Sequence, residues 1–190
     1  MDLSPFNSTI FGPGISRWNA EKAGSLDPRD STAFNAALNE MGQMSSKAQQ
    51  QTTLLTAADK FRESADIVYV ACDSTGGIMQ GFLRLGQKYL FLYPDGNAPM
   101  IERNTTCLLD FYVHESVQRK GIGLELFRSA LKEERLSPTE IAYDRPSPKL
   151  KPFLAKHFGL QNCLDQPNRF MVFAEHFDAG TATSSRQQAG

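Results

Sequence analysis

Helices packed on both faces of a mixed central β-sheet form the α/β architecture that this sequence predicts. Three observations lead there. Apolar runs of β type crowd between residues 66 and 113. A largely apolar run, a glycine-bearing loop and an amphipathic helix follow one another directly from residue 107 to residue 136. Beyond them, short strand-like runs alternate with one further helical stretch.

Taken in order, residues 1–29 are rich in Gly, Pro, Ser and Asn and read as an extended or partly ordered arm. Its isolated aromatics Phe6, Phe11 and Trp18 are suited to pack on a domain surface. Asp30 or Ser31 is placed to cap a helix with Phe34, Leu38, Met41 and Met44 at helical spacing. TTLLTAADKF is helix or loop. DIVYVAC, GIMQGFLRL and KYLFLY are three strands, with turns at DSTGG and PDGN. CLLDFYV, 107–113, is apolar on both faces and reads as a central buried strand.

In LELFRSALKEERL, Leu126, Phe127, Ala130 and Leu131 form an apolar helix face opposite Arg128, Lys132 and Glu133, and Ser137-Pro138 ends that helix. A strand is expected at 140–144, and then a helix from Ser147 with Pro148 at its first position. RFMVFA, 169–174, is the last strand. The folded domain is thus expected over 30–178, with a disordered tail at 179–190.

The 190 residues suit one domain with a sizeable core. Net charge is −1, so no global basic field argues for nucleic acid or an anionic membrane as partner. Cys72, Cys107 and Cys163 are widely spaced, and His114, His157 and His176 are scattered. Neither a metal site nor a disulfide framework is expected, and free thiols fit a reducing cytosol. The N-terminus lacks a basic start and an unbroken apolar stretch, so no secretory signal is expected. No apolar run is long enough to cross a bilayer.

The most informative stretch is Gln118-Arg119-Lys120-Gly121-Ile122-Gly123. Two glycines let the backbone approach a ligand with no Cβ in the way. The helix that opens there aims unpaired N–H groups and its positive dipole end at the loop, and Arg119 and Lys120 add charge. Together these suit a pyrophosphate; the alternative is a loop that only turns the chain. A dinucleotide GxGxxG fails at Leu126, and no P-loop GK[ST] occurs.

Q-x-x-G-x-G after a central strand and opening a helix resembles the acetyl-CoA signature of GNAT acyltransferases. LLDFYVHESVQRKGIGLELF resembles, more specifically, the cofactor segment of the α-tubulin N-acetyltransferase family. SSKAQQ, YDRPSPKLKPFLAKHFGL and PNRFMVFAEHF resemble three further segments of that family in order and spacing, so the likeness covers about residues 30–178. It implies a GNAT fold and an enzyme that uses acetyl-CoA, without a metal, to acetylate a lysine ε-amine. The implied partner is α-tubulin in microtubules. The implied setting is a monomer in the cytoplasm on the cytoskeleton, including the axoneme of a cilium or flagellum.

The resemblance also implies residue roles. Cys107 and Asp144 line a lysine tunnel as catalytic groups, and Gln49 supports activity beside it. One cofactor stretch is Phe111, Tyr112, Val113, His114, Glu115, Ser116, Val117, Gln118, Arg119, Lys120, Gly121, Ile122, Gly123 and Leu124. Its strand end holds the pantetheine and its loop the pyrophosphate. The other is Ser147, Pro148, Lys149, Leu150, Lys151, Phe153, Leu154 and Lys156. Arg145 and the hairpin near Phe91 and Leu92 face the tubulin loop.

Read without the family, each has a plainer alternative. Asp144 is equally a loop carboxylate paired with Arg145 or capping the Ser147 helix, although a carboxylate at a strand end in a cleft can take a proton. Cys107 is equally a small core residue. Gln49 reads as a helix-end surface glutamine, His114 as a strand-end structural residue, and Lys149, Lys151 and Lys156 as a solvated face.

Three positions depart from the family. Pro152 removes a helix hydrogen bond and predicts a kink or a restart of the helix. The hairpin tip Pro94–Ala98 is less acidic than expected. Leu124 stands where a basic residue often follows the glycines. A GNAT enzyme for another protein or amine, or a non-catalytic microtubule-binding module, are the competing readings; retention of Cys107, Asp144 and Gln49 together argues against the module.

Overall fold

The computed structural model describes residues 9–94 and 98–180. Its strands are β1 Gly14–Trp18, β2 Ile67–Cys72, β3 Met79–Leu92, β4 Ile101–Val113, β5 Ala142–Asp144, β6 Cys163–Asp165 and β7 Phe170–Phe173. Its helices are α1 Ala20–Gly24, α2 Pro28–Ala48, α3 Ala58–Arg62, α4 Ile122–Glu134 and α5 Leu150–Phe158. The chain divides into two compact units, residues 1–86 with 109–134, and residues 87–108 with 135–190. Both β3 and β4 have residues in each unit.

In the first unit the strand order is β1-β2-β3-β4. β1 pairs antiparallel with β2 from Gly14↔Cys72 to Trp18↔Val68, and β2 pairs antiparallel with β3 through a bulge at Ala71/Cys72. Residues 9–29, read from sequence as an arm, contain β1 and α1 where they are described. Phe11 and Trp18 are buried in the core with Phe34, Leu38, Met41, Phe61, Val68, Val70 and Phe82. The Trp18 and Phe34 rings lie 5.1 Å apart. Residues 1–8, with Phe6, lie outside the described residues.

α2 begins at Pro28, with the Asp27 carboxylate accepting from Asp30 N at 2.8 Å, so the cap is Asp27 rather than Asp30 or Ser31. Pro28 explains the earlier start: its fixed φ suits the first helical position, and its missing N–H has no partner there in any case.

The expected break between GIMQGFLRL and KYLFLY is absent, and β3 runs unbroken for 14 residues. Gly86 is not a turn. A Cβ there would overlap Asp66 Oδ1 and stand 2.7 Å from Leu109 Cδ1, so glycine is present for close approach.

In the second unit the order is β4-β5-β7-β6. β4 and β5 are parallel, with Cys107 beside Ala142 and Leu108 beside Tyr143. β5–β7 and β6–β7 are antiparallel, so the sheet is mixed and the fold α/β. Leu90, Leu92, Ile141, Tyr143, Leu154, Met171, Val172 and Phe173 are buried there.

The strand expected from residue 140 starts at Ala142, because Ser137 and Glu140 close a reciprocal cap on a 3-10 turn at Pro138–Glu140. The helix expected at Ser147 starts at Leu150, with Leu150 N donating to Ser147 O at 2.9 Å. Pro152 therefore sits in the first turn, where its missing N–H breaks no bond, and no kink is required. Of the tail expected to be disordered, residues 181–190 lie outside the described set, as do residues 95–97 of the hairpin tip. Among the described residues no helix is long and apolar enough to cross a membrane.

Candidate active site

In the first unit, β4 delivers the chain to the glycine loop. Its last residue, Val113, has its carbonyl held by Gln118 Nε2 at 2.8 Å, so the glutamine of the motif fastens the loop to the strand. His114 N donates to Gln80 O at 2.9 Å, and the His114 ring accepts from Ser116 N across the 3-10 turn Glu115–Val117. His114 is buried at the strand end.

The chain then turns through Arg119 at φ 64° and Gly121 at φ 90°, both left-handed. Glu125 N donating to Gly121 O, at 3.0 Å, opens the α4 ladder. The amides of Ile122, Gly123 and Leu124 thus lie ahead of the ladder, where helices leave donors for a ligand.

The two glycines do different work. No atom lies within 4 Å of a Cβ built on Gly121, which is there for its φ. A Cβ on Gly123 would meet Phe111 Cζ at 3.4 Å and Val113 Cγ2 at 3.6 Å, ordinary contacts. Arg119, Lys120 and Gly121 are exposed. An exposed backbone turn with space above it and two cations beside it fits a diphosphate. Tyr112 and Val117, named with this stretch, turn their side chains into the fold.

The same unit holds a polar cluster that sequence reading missed. Asp110, inside the apolar β4 run, is 4% exposed. Ser45 Oγ donates to its Oδ1 at 2.7 Å, Gln49 Nε2 to the same oxygen at 2.9 Å, and Thr56 Oγ1 to Oδ2 at 2.6 Å. Gln49 Nε2 also donates to Ser45 Oγ at 2.7 Å. Burial pushes the Asp110 carboxyl above its ordinary pKa, while the Thr56, Ser45 and Gln49 hydrogen bonds and the Arg84 charge pull it down. Gln49 is therefore no free surface side chain. An acid at a position that alternation places in a buried strand was the signal available in the sequence.

In the second unit, Cys107 is fully buried and its thiol points to Thr105 O at 3.5 Å. Cys107 pairs with Ala142, and Asp144 follows two residues later on β5, so Cys107 and Asp144 lie on one face of their parallel pair. Arg145 Nε stands 3.7 Å from Asp144 Oδ1, an ion pair too long to be a hydrogen bond. The Arg145 backbone is left-handed at φ 41°, and its N–H is held by Arg169 O at 2.9 Å.

On the hairpin, Phe91 is 48% exposed, but Leu92 is 0% exposed. Leu92 thus has no side chain to offer a partner, because strand alternation turns it inward. The outward neighbours of Phe91 are Tyr89 and Tyr93. Tyr89 meets Phe91 edge to face, with ring centroids 5.9 Å apart.

α5 divides the second cofactor stretch in the same manner. Leu154 is fully buried and Leu150 nearly so, so α5 turns both side chains into the fold. Ser147, Pro148 and Lys149 lie ahead of the helix, and Lys156 is exposed. The Phe153 and His157 rings are tilted by 55° to each other, with centroids 5.0 Å apart. Lys151 Nζ reaches both Asp165 oxygens at 2.9 Å and must leave them to contact a phosphate. Among the described residues, no group of three or more His, Cys, Asp or Glu is arranged to hold a metal ion.

Residues 8–190 match the model of a family described as GNAT acetyltransferase, Mec-17. The chain is 42% identical over 159 residues to an α-tubulin N-acetyltransferase of Anopheles gambiae, covering 82% of this chain and 32% of that protein. It is 41% identical over 154 residues to α-tubulin N-acetyltransferase 1 of Danio rerio, covering 79% of this chain and 52% of the other. It is 44% identical over 128 residues to the α-tubulin N-acetyltransferase of Phytophthora infestans, covering 67% and 71%. The chain thus spans 32% of the Anopheles protein and 52% of the Danio protein. Among solved structures, the xEco2 acetyltransferase domain bound to a CoA conjugate aligns at a TM-score of 0.53 and 14% identity, over 86% of this chain and 93% of that one. That is a likeness of fold.

Proposed function

The chain belongs to the Mec-17 family of GNAT acetyltransferases, and from that premise we propose that it transfers the acetyl group of acetyl-CoA to a lysine ε-amine of α-tubulin in microtubules. The observation that carries the reading is the loop in which Arg119 and Gly121, both at positive φ, turn β4 into the start of α4. Its exposed amides and cations suit the diphosphate of coenzyme A. Relatives named α-tubulin N-acetyltransferase support the acceptor.

In the proposed reaction the lysine and the thioester are held together in one ternary complex, which removes most of the entropic barrier. The lysine ammonium, with a reference pKa of about 10.4, loses a proton to Asp144, directly or through water or Cys107. The freed nitrogen lone pair attacks the thioester carbon. A C–N bond forms, and the carbonyl oxygen takes the negative charge beside a backbone N–H near Phe111–Val113. The C–S bond then breaks and coenzyme A leaves as a thiolate, which takes up the second proton that the nitrogen sheds as it becomes an amide. Gln49 stands beside the amine. Arg145 and the exposed aromatics around Phe91 meet the tubulin loop, and the lysines beside α5 meet the adenosine-end phosphates. The protein acts as a monomer on cytoplasmic microtubules, those of the axoneme included.

The test is acetylation of polymerised microtubules, with the modified lysine read by mass spectrometry, against polyamine and histone-peptide acceptors. Asp144→Asn is expected to lower turnover by at least about a hundredfold while leaving acetyl-CoA affinity near that of the parent. Faster acetylation of a polyamine than of tubulin would replace the acceptor. Near-parental turnover by Asp144→Asn would remove that residue from the reaction.

A further inference from the structure

Asp110 sits at the centre of a ring of donors. Ser45 and Gln49 are four residues apart where α2 ends and so share a face, and Thr56 follows in the next loop. Gln49 meets the Asp110 carboxyl through its amide nitrogen, a group that donates and does not accept. That nitrogen carries two hydrogens, and its two acceptors are Asp110 Oδ1 at 2.9 Å and Ser45 Oγ at 2.7 Å. The nitrogen end of the amide is therefore the end held inward.

We propose that Asp110 is a positioning residue: with Ser45 it turns the Gln49 amide so that the carbonyl oxygen is the group presented to the amine that accepts the acetyl group. This rests on the reading of Gln49 as a neighbour of the substrate lysine. A carbonyl oxygen accepts from an ammonium or amine N–H and repels a thioester oxygen that is gaining negative charge. Gln49 therefore aligns the nucleophile and takes no part in stabilising the oxyanion.

The electrostatics point the same way. Arg84 stands 3.8 Å from Asp66, and it acts on Asp110 only at longer range. A carboxylate buried without its own counter-ion costs stability that an apolar residue of like volume would not. Fold stability thus gives no reason for an acid at this place.

The test measures kcat, both KM values and Tm for the parent, Asp110→Asn, Asp110→Leu, Gln49→Ala and the double variant Asp110→Leu/Gln49→Ala. Asn keeps an acceptor for Ser45 and Gln49 and can donate to Thr56, so kcat is expected to stay within about threefold of the parent. Leu keeps the volume and removes the acceptor. Its kcat is expected to fall about tenfold to a hundredfold, with the KM for acetyl-CoA unchanged. The double variant is expected to be no slower than the slower single one. Losses that multiply in the double variant, or an Asn variant as slow as the Leu variant, overturn the proposal.

If Asp110→Leu does not fold, Ser45→Ala removes one of the two acceptors. It is expected to slow the parent about threefold to tenfold and the Gln49→Ala variant not at all; slowing in both backgrounds overturns it. A readout independent of turnover is hydrogen exchange at the Gln49 side-chain amide by NMR. It is expected to run at least about tenfold slower than at the exposed Gln50 amide, and equal rates overturn the assigned orientation. Should the parent acetylate no amine at all, the functional reading falls, and this exchange measurement still decides the orientation of Gln49.

Discussion

Gly42→Ala sets two effects of opposite sign against each other. Gly42 lies inside α2, where alanine is favoured over glycine by about 1 kcal/mol. Helix propensity alone therefore makes the variant more stable. The packing opposes this, because a methyl group on Gly42 would overlap the carbonyl oxygen of Thr56 and stand 3.0 Å from its carbon. The obstacle is backbone, so no rotamer change relieves it. Overpacking of this kind costs about 1 to 3 kcal/mol.

Moving residue 56 also pulls Thr56 Oγ1 from Asp110 Oδ2, 2.6 Å away, and weakens the hold on a buried carboxylate. Loss of such a donor costs about 1 to 3 kcal/mol. The expected net change is a destabilisation of about 3 kcal/mol, or on the order of 10 °C in Tm. Urea unfolding followed by circular dichroism, with the m-value checked for constancy, measures it. A Gly42→Ala variant as stable as the parent, or more so, would refute the reasoning. It would mean that the approach of α2 to the Thr56 loop is not tight in solution.

Other outcomes follow from the loop, the helices and the C-terminal segment. Gly121→Ala places a side chain at φ 90° and is expected to weaken acetyl-CoA binding in calorimetry by about tenfold, consistent with roughly 1 to 3 kcal/mol of strain. Gly123→Ala, whose Cβ would meet only ordinary contacts, is expected to leave Tm within about 2 °C of the parent. Asp165→Asn releases Lys151 and is expected to tighten acetyl-CoA a few-fold at low salt and not at high salt.

His176 is buried beside Thr105 and the Thr139 carbonyl, with Arg103 and Glu140 as its charged neighbours. Burial first, and then Arg103, hold its pKa below the ordinary 6.5. The folded value thus lies below the unfolded one. The stability from a neutral His176 is complete above 6.5 and is withdrawn as pH falls from there through the folded value. Urea midpoints measured through that range are expected to drop for the parent and to drop less for His176→Gln.

The parts most legible in the sequence were those where local pattern and burial agree. CLLDFYV reads as a buried strand because it is apolar on both faces, and the Leu126, Phe127 and Ala130 face of α4 is buried as its periodicity implies. The glycine loop was legible because its glycines, its cations and the helix after it point to one task. Three features were hidden for physical reasons. GISRW carries no alternation strong enough to mark a strand, and β1 forms because β2 offers it a partner distant in sequence. Gly86 looks like a chain break because glycine's use for close approach depends on Asp66 and Leu109, which the local sequence does not show. Asp110 reads as noise in an apolar run until Ser45, Gln49 and Thr56 are brought around it.

β1 also acts as a shield against self-association. It lies outermost in the strand order, and it covers one hydrogen-bonding margin of Ile-Val-Tyr-Val-Ala-Cys, residues 67–72. That hexapeptide has no charge, no proline and no glycine, the composition from which intermolecular β-stacking grows. A version trimmed to begin at residue 30 would expose the margin to a second molecule. Loss of solubility, rather than loss of chemistry, is then the first consequence of shortening the protein from that end.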